Sequence, residues 1–145
     1  ELVSSLPKNP VLIRADGRRL WRILENLYNN AYKYAMQNSR IYVDVAQRDG
    51  KAIFTIKNVS ENPLNISADE LTERFVRGDV ARTTEGSGLG LSIAQSLTKL
   101  QNGTFTLSID GDLFKAEVAF PVKWTTLEEY EEQEQREEET AAEAE

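Results

Sequence analysis

Three asparagines fall within five positions of one predicted helix: Asn26, Asn29 and Asn30. Asparagine costs a helix about 0.6 kcal/mol relative to alanine. A cluster of them breaks a local folding rule, and such breaks tend to sit where function competes with folding. Asn26, Asn30 and Lys33 stand at i, i+4 and i+7, so they share one helix face. Carboxamide oxygens are hard, neutral ligands suited to Mg²⁺, and a lysine ammonium is a point cation for phosphate. A solvated face with incidental asparagines would present the same residues.

A second cluster is Gly86-Ser87-Gly88-Leu89-Gly90-Leu91-Ser92-Ile93. Alternating glycines let backbone N–H groups approach phosphate closely, and a helix beginning there adds a favourable dipole. The dinucleotide fingerprint is absent, because Leu91 occupies its last glycine position, and Gly50-Lys51 is followed by Ala52, so there is no Walker A loop. The motifs of eukaryotic-type protein kinases are missing. A flexible helix entry is the plain alternative. Between the clusters, Glu73-Arg74-Phe75-Val76-Arg77-Gly78-Asp79 combines an aromatic with basic residues. Phe75 suits both core packing and the anchoring of a mobile loop. Arg77 or Arg82 could reach a phosphate, or lie solvated.

These residues need a scaffold. Asp16 is a good N-cap for a long helix ending near 37–39, with Leu20, Ile23, Leu24, Leu27, Ala31, Tyr34 and Ala35 on its core face. The apolar run 11–13 suits an edge strand. Ile41, Val43 and Val45 alternate, Asp49-Gly50 turns, and Ile53, Thr55 and Lys57 continue, with a type I′ turn expected. The same device is expected again: Phe105, Leu107 and Ile109, then Asp110-Gly111, then Phe114, Ala116, Val118 and Phe120, closed by Pro121. Residues 58–67 read as irregular, 68–75 as a short helix, 78–90 as a glycine-bearing loop and 91–100 as a helix stopped by Asn102-Gly103. The expected fold is α+β, a two-layer sandwich whose mixed or antiparallel sheet is covered on one face by helices.

The chain has 145 residues, room for one domain, with no cysteine and no histidine. That excludes disulfides, thiolate or histidine metal sites and Ser-His-Asp chemistry. The net charge of −7 is unevenly placed. Residues 122–145 hold ten glutamates against Lys123 and Arg136, and the rest holds fifteen basic against fourteen acidic side chains. Neither part is a basic patch, so nucleic acid is not an expected partner. No apolar run has the roughly 20 residues that cross a bilayer. Residues 128–145 read as disordered or as a solvated single helix.

In order and spacing, these elements resemble the catalytic ATP-binding domain of bacterial sensor histidine kinases, members of the GHKL superfamily with the Bergerat fold. Residues 24–34, Leu-Glu-Asn-Leu-Tyr-Asn-Asn-Ala-Tyr-Lys-Tyr, look like that family's N box, 73–79 like its F box and 86–93 like its second glycine box. The likeness covers about 11–121. It implies that Asn30 ligates Mg²⁺ with Asn26 beside it, and that Lys33 and Tyr34 contact the phosphates or the nucleotide. It also implies that Gly86, Ser87, Gly88, Leu89 and Gly90 line the triphosphate, with a short lid over roughly 78–86. One departure stands out. The family's first glycine box is Asp-x-Gly-x-Gly, whose aspartate accepts from the adenine amino group. Here Asn58 stands at that aspartate and Ser60 at the first glycine. An asparagine oxygen can still accept from the adenine amino group, and its NH₂ can donate to a ring nitrogen. The ATP-hydrolysing relatives use a glutamate base where Asn26 stands. A carboxamide cannot take a proton from water, and the neighbouring Glu25 points about 100° away.

The resemblance therefore implies a domain that holds Mg·ATP for attack by a histidine on a separate dimerisation domain. Residues 1–10 would be the linker from that domain, 11–121 the ATP-binding catalytic domain and 122–145 an acidic tail. The acceptor helices are expected before Glu1, and the isolated domain is expected to be monomeric and without autokinase activity. The full-length protein is expected to be a homodimer, in the cytoplasmic portion of a membrane-bound sensor, passing its phosphate to a response regulator. Two rivals use the same residues: a nucleotide-blind pseudo-kinase serving as an interaction module, and a GHKL ATPase or serine kinase.

Overall fold

The computed structural model describes residues 1–62, 89–124 and 127–144. Helix α1 (Gly17–Tyr34) begins as its cap dictates: Asp16 Oδ1 accepts from the N–H groups of Arg18 at 2.9 Å and Arg19 at 3.1 Å. Those bonds satisfy donors that the first helical turn leaves open. They also hold the Asp16 carboxyl below its ordinary value, the Arg19 bond contributing most. Ile23, Leu27 and Ala31 are buried, with Leu20, Tyr28 and Ala35 partly buried beside them. The helix stops at Tyr34, earlier than expected, because the sheet captures the chain. Ala35 bridges Ser60, the Met36 N–H donates to the Val59 carbonyl (2.8 Å), and the Glu61 N–H donates to the Tyr34 carbonyl (2.9 Å).

Among the described residues six strands form one sheet: β1 (Leu2–Ser5), β2 (Leu12–Ile13), β3 (Ile41–Arg48), β4 (Lys51–Val59), β5 (Thr104–Asp110) and β6 (Leu113–Trp124). Their order is β1-β3-β4-β6-β2, with β5 also paired to β6. The β1–β3 pair is parallel and the others antiparallel, so the sheet is mixed. Helices α1 and α2 (Leu89–Leu100) pack on each other and against β4 and β5, and Leu91 and Ala94 of α2 join the buried core. This is the expected α+β sandwich. Three rungs cross its inner face: Val45–Phe54–Val118–Phe105, Val43–Ile56–Ala116–Leu107 and Ile41–Asn58–Phe114–Ile109. Tyr28 of α1 tilts against Phe54, ring centroids 6.0 Å apart, and burial pushes its hydroxyl above the usual tyrosine range.

Several local expectations are corrected. The linker expected over 1–10 contains β1, whose exposed Leu2 gives little apolar signal; backbone pairing to β3, including the Ile41 N–H to the Glu1 carbonyl (2.9 Å), holds it. On β4 the core-facing set is Phe54, Ile56 and Asn58, the opposite parity from Ile53, Thr55 and Lys57, because the 48↔51 register sets Val43 opposite Ile56. The first turn has positive φ at both Asp49 (51°) and Gly50 (74°), as type I′ requires. The second turn centres on Gly111-Asp112, and only Gly111 (59°) is positive, the pattern of type II′. Pro121 does not close β6. It opposes Lys51 where the ladder bond is made by Val122 N–H to the Gly50 carbonyl (2.9 Å), so no N–H is needed there, and the strand runs on to pair with β2.

The stop after α2 also differs in detail. The left-handed residue is Asn102 (φ 62°), and the Gly103 N–H reaches back to the Thr98 carbonyl at 2.9 Å while the Asn102 N–H reaches Lys99 at 3.1 Å. That is a Schellman closure. Gly103 is needed for space: a Cβ there would lie 2.6 Å from Phe120 Cε1 and 2.8 Å from Thr98 Cγ2. After β6, residues of helix α3 (Leu127–Glu143) are mostly exposed, so of the two readings of the acidic segment the solvated helix holds. Among the described residues no helix is long and apolar enough to cross a membrane.

Candidate functional site

The buried stripe of α1 turns the helix so that Asn26 and Asn30 flank the core, both half-buried, while Asn29 and Lys33 are exposed. Glu25 is exposed too. The Lys33 ammonium lies 5.4 Å from the centroid of the Tyr34 ring, so these two neighbours form one basic and aromatic corner at the end of α1. That corner is tied to the end of β4 through the Glu61 N–H to Tyr34 carbonyl bond.

Helix α2 begins at Leu89, two residues earlier than expected, so Leu89 and Gly90 form its first turn. Gly90 faces Asn26: a Cβ at Gly90 would lie 3.2 Å from Asn26 Oδ1 and 3.7 Å from its Cγ. The first turn of α2 and the asparagine face of α1 are thus in van der Waals contact, two elements that lie far apart in sequence. A side chain at residue 90 would occupy the space beside the Asn26 carboxamide oxygen.

Asn58 is the one polar residue in the three inner-face rungs, set between Ile41 and Phe114. It is 2% exposed, and neither its Oδ1 nor its Nδ2 has a hydrogen-bond partner among the described residues. Leaving such an amide unpaired costs on the order of 1–3 kcal/mol, so a ligand that pairs with it fits the position. Ser60, also buried, is held through its backbone: its N–H donates to the Asp112 carbonyl at 2.7 Å and it bridges Ala35. Sequence reasoning gave Ser60 only as a missing glycine; the register that makes it a tie between α1, β4 and the 111–112 turn has no local sequence signal.

The structure therefore brings Asn26 and Gly90 together and joins Tyr34 to the strand that carries Asn58. Phe75, Arg77, Arg82, Gly86, Ser87 and Gly88, with the expected short helix, F box and lid, lie outside the described residues. A nucleotide with a hard cation fits what is described: an unpaired carboxamide for a base, carboxamide oxygens for Mg²⁺, a cation at Lys33, and a glycine in the first turn of a helix for phosphate.

Comparison with known proteins gives the family and the fold. The family described as "Histidine kinase-, DNA gyrase B-, and HSP90-like ATPase" matches residues 15–137. The probable sensor histidine kinase TcrY of Mycobacterium tuberculosis is 31% identical over 129 residues, covering 85% of this chain and 26% of TcrY. The chain spans about a quarter of the length of the curated relatives it matches. Among solved structures, the catalytic domain of histidine kinase ThkA superposes with a TM-score of 0.71 at 21% identity, covering 84% of this chain and 78% of that one. Full-length ShkA in complex with AMPPNP superposes with a TM-score of 0.66 at 23% identity, over 84% of this chain and 25% of ShkA. At these identities the structural likeness carries the fold.

Proposed function

Since the chain belongs to the family of histidine kinase-, DNA gyrase B- and HSP90-like ATPases, we propose that it binds Mg·ATP and presents the γ-phosphate to a histidine on a separate dimerisation domain of a sensor kinase. The observation that carries this reading is the contact of Asn26 with Gly90. It sets the carboxamide face of α1 against the first turn of α2, so a metal-bound phosphate chain could meet both at once. A hard cation held by these carboxamides would supply charge neutralisation to the phosphates.

In this reading Asn30, with Asn26 beside it, supplies neutral oxygens to the cation. Lys33 and Tyr34 contact the phosphates or the nucleotide. The backbone N–H groups from Gly86 to Gly90 line the triphosphate, with Arg77 and Arg82 at the lid, and the Asn58 amide pairs with the base. Neither Asn26 nor Asn30, the carboxamides proposed for the metal, can deprotonate a water, while Glu25 is exposed. Positioning and charge neutralisation then favour transfer to a protein nucleophile over hydrolysis. The chain has no histidine, so the acceptor belongs to another domain. The same reading makes the chain part of the cytoplasmic portion of a sensor, the full protein a homodimer, and a response regulator the final phosphate acceptor.

Titration calorimetry with a non-hydrolysable ATP analogue tests the reading. Binding is expected with Mg²⁺, weaker in EDTA, and weakened for Asn30→Ala or Asn30→Asp in the Mg²⁺ arm only. No binding at millimolar nucleotide refutes it, and equal metal dependence in Asn30→Ala refutes the ligand role. Steady phosphate release from ATP by the chain alone would favour the ATPase reading.

A further inference from the structure

Asn58 can present either of the two faces of its carboxamide. Its carboxamide lies buried at 2% exposure in an apolar rung, and both polar atoms lack a partner among the described residues. Among the described residues no hydrogen bond sets which way the amide points. The terminal torsion of asparagine is broad and roughly two-fold, so exchanging Oδ1 and Nδ2 is cheap. Resting on the nucleotide-binding reading above, we propose that this site accepts guanine as well as adenine nucleotides, with Asn58 as the residue that sets this breadth.

The hydrogen-bond patterns of the two bases carry the argument. Adenine offers an amino donor at N6 beside an acceptor at N1. Guanine offers an acceptor at O6 beside a donor at N1. The two edges are mirror patterns, and a carboxamide matches either. In one orientation Oδ1 accepts from adenine N6 and Nδ2 donates to N1. Turned over, Nδ2 donates to guanine O6 and Oδ1 accepts from N1–H. An ionised carboxylate in the same place only accepts, so it pairs with the adenine amino group and faces guanine O6 with like partial charge. A buried site that reads a base by hydrogen bonds penalises the base that leaves its groups unpaired. With asparagine at 58 neither base leaves the amide unpaired, and the penalty against guanine falls away.

The experiment is a pair of calorimetric titrations, with Mg·AMPPNP and with Mg·GMPPNP, on the full chain and on Asn58→Asp. For the unaltered chain the two dissociation constants should agree to within about fivefold, the lower end of what one good bidentate base contact discriminates. Asn58→Asp should retain the adenine nucleotide and weaken the guanine nucleotide by at least about tenfold. The comparison on the unaltered chain stands by itself if Asn58→Asp folds poorly. Adenine binding with no guanine binding in the unaltered chain overturns the inference and leaves the nucleotide-binding function standing. So does an Asn58→Asp chain whose preference is unchanged. If neither nucleotide binds the unaltered chain, the functional reading fails and the inference fails with it.

Discussion

At the residue scale the informative positions are those where a folding rule is broken and the structure shows no local compensation. Asn58 is the clearest, a buried amide without a partner among the described residues. If it is kept for a ligand, Asn58→Leu should abolish nucleotide binding while leaving the fold as stable or up to about 3 kcal/mol more stable in urea melts, because the unpaired amide is gone. A loss of stability instead would mean that the amide is structural. Gly90 makes a second separable case. Its Cβ would crowd Asn26 Oδ1 at 3.2 Å, while alanine is the better helix former by about 1 kcal/mol. Gly90→Ala should therefore weaken Mg²⁺-dependent nucleotide binding without lowering the denaturation midpoint. Unchanged affinity would show that the contact with Asn26 has no part in the site. The asparagine face of α1 was legible because three weak helix formers in five positions leave a mark in sequence. The contact of Asn26 with Gly90 was not, because it depends on how two distant helices cross.

At the scale of elements, caps and closures decide where the helices begin and end. Gly103→Ala should cost about 1–3 kcal/mol, the usual range for overpacking, since Phe120 and Thr98 are buried and cannot withdraw. Asn102→Gly should be nearly neutral, because glycine adopts the left-handed conformation freely; urea midpoints of the two variants check both. The cap of α1 predicts a pH dependence. The Asp16 carboxyl is depressed in the folded state, so its ionic contribution is present above the ordinary value of 3.8 and is lost as pH falls through the lower folded value. Asp16→Asn keeps a capping oxygen without the charge. The stability difference between the two chains should favour aspartate at pH 5 and vanish towards pH 2, and a constant difference would contradict the assignment. The N-cap and the Asp49-Gly50 turn were readable because both are local devices. The parity of β4 was not, since alternation along 51–59 is compatible with either face until the 48↔51 register is set against β3. Strand β1 was hidden for a related reason, as its stability lies in backbone bonds to a strand nearly forty residues on.

For the molecule as a whole, the charge of −7 describes two unlike parts. The sandwich is close to neutral, and the acidity sits on the mostly exposed α3. An anionic ligand suits the first part and is repelled by the second. The missing histidine makes the chain, as proposed, one half of a reaction whose nucleophile comes from elsewhere. The central claim is that the α1–α2 contact and the buried amide of β4 are parts of one nucleotide site. Following the side-chain amide of Asn58, together with the amides of Asn26, Asn30 and Gly90, by ¹⁵N NMR during titration with Mg·AMPPNP tests this most directly. Saturable shifts are expected in all four, largest for the Asn58 side chain as it gains a partner. Shifts that spare Asn58 and Gly90, or no shift at millimolar nucleotide, would contradict the claim.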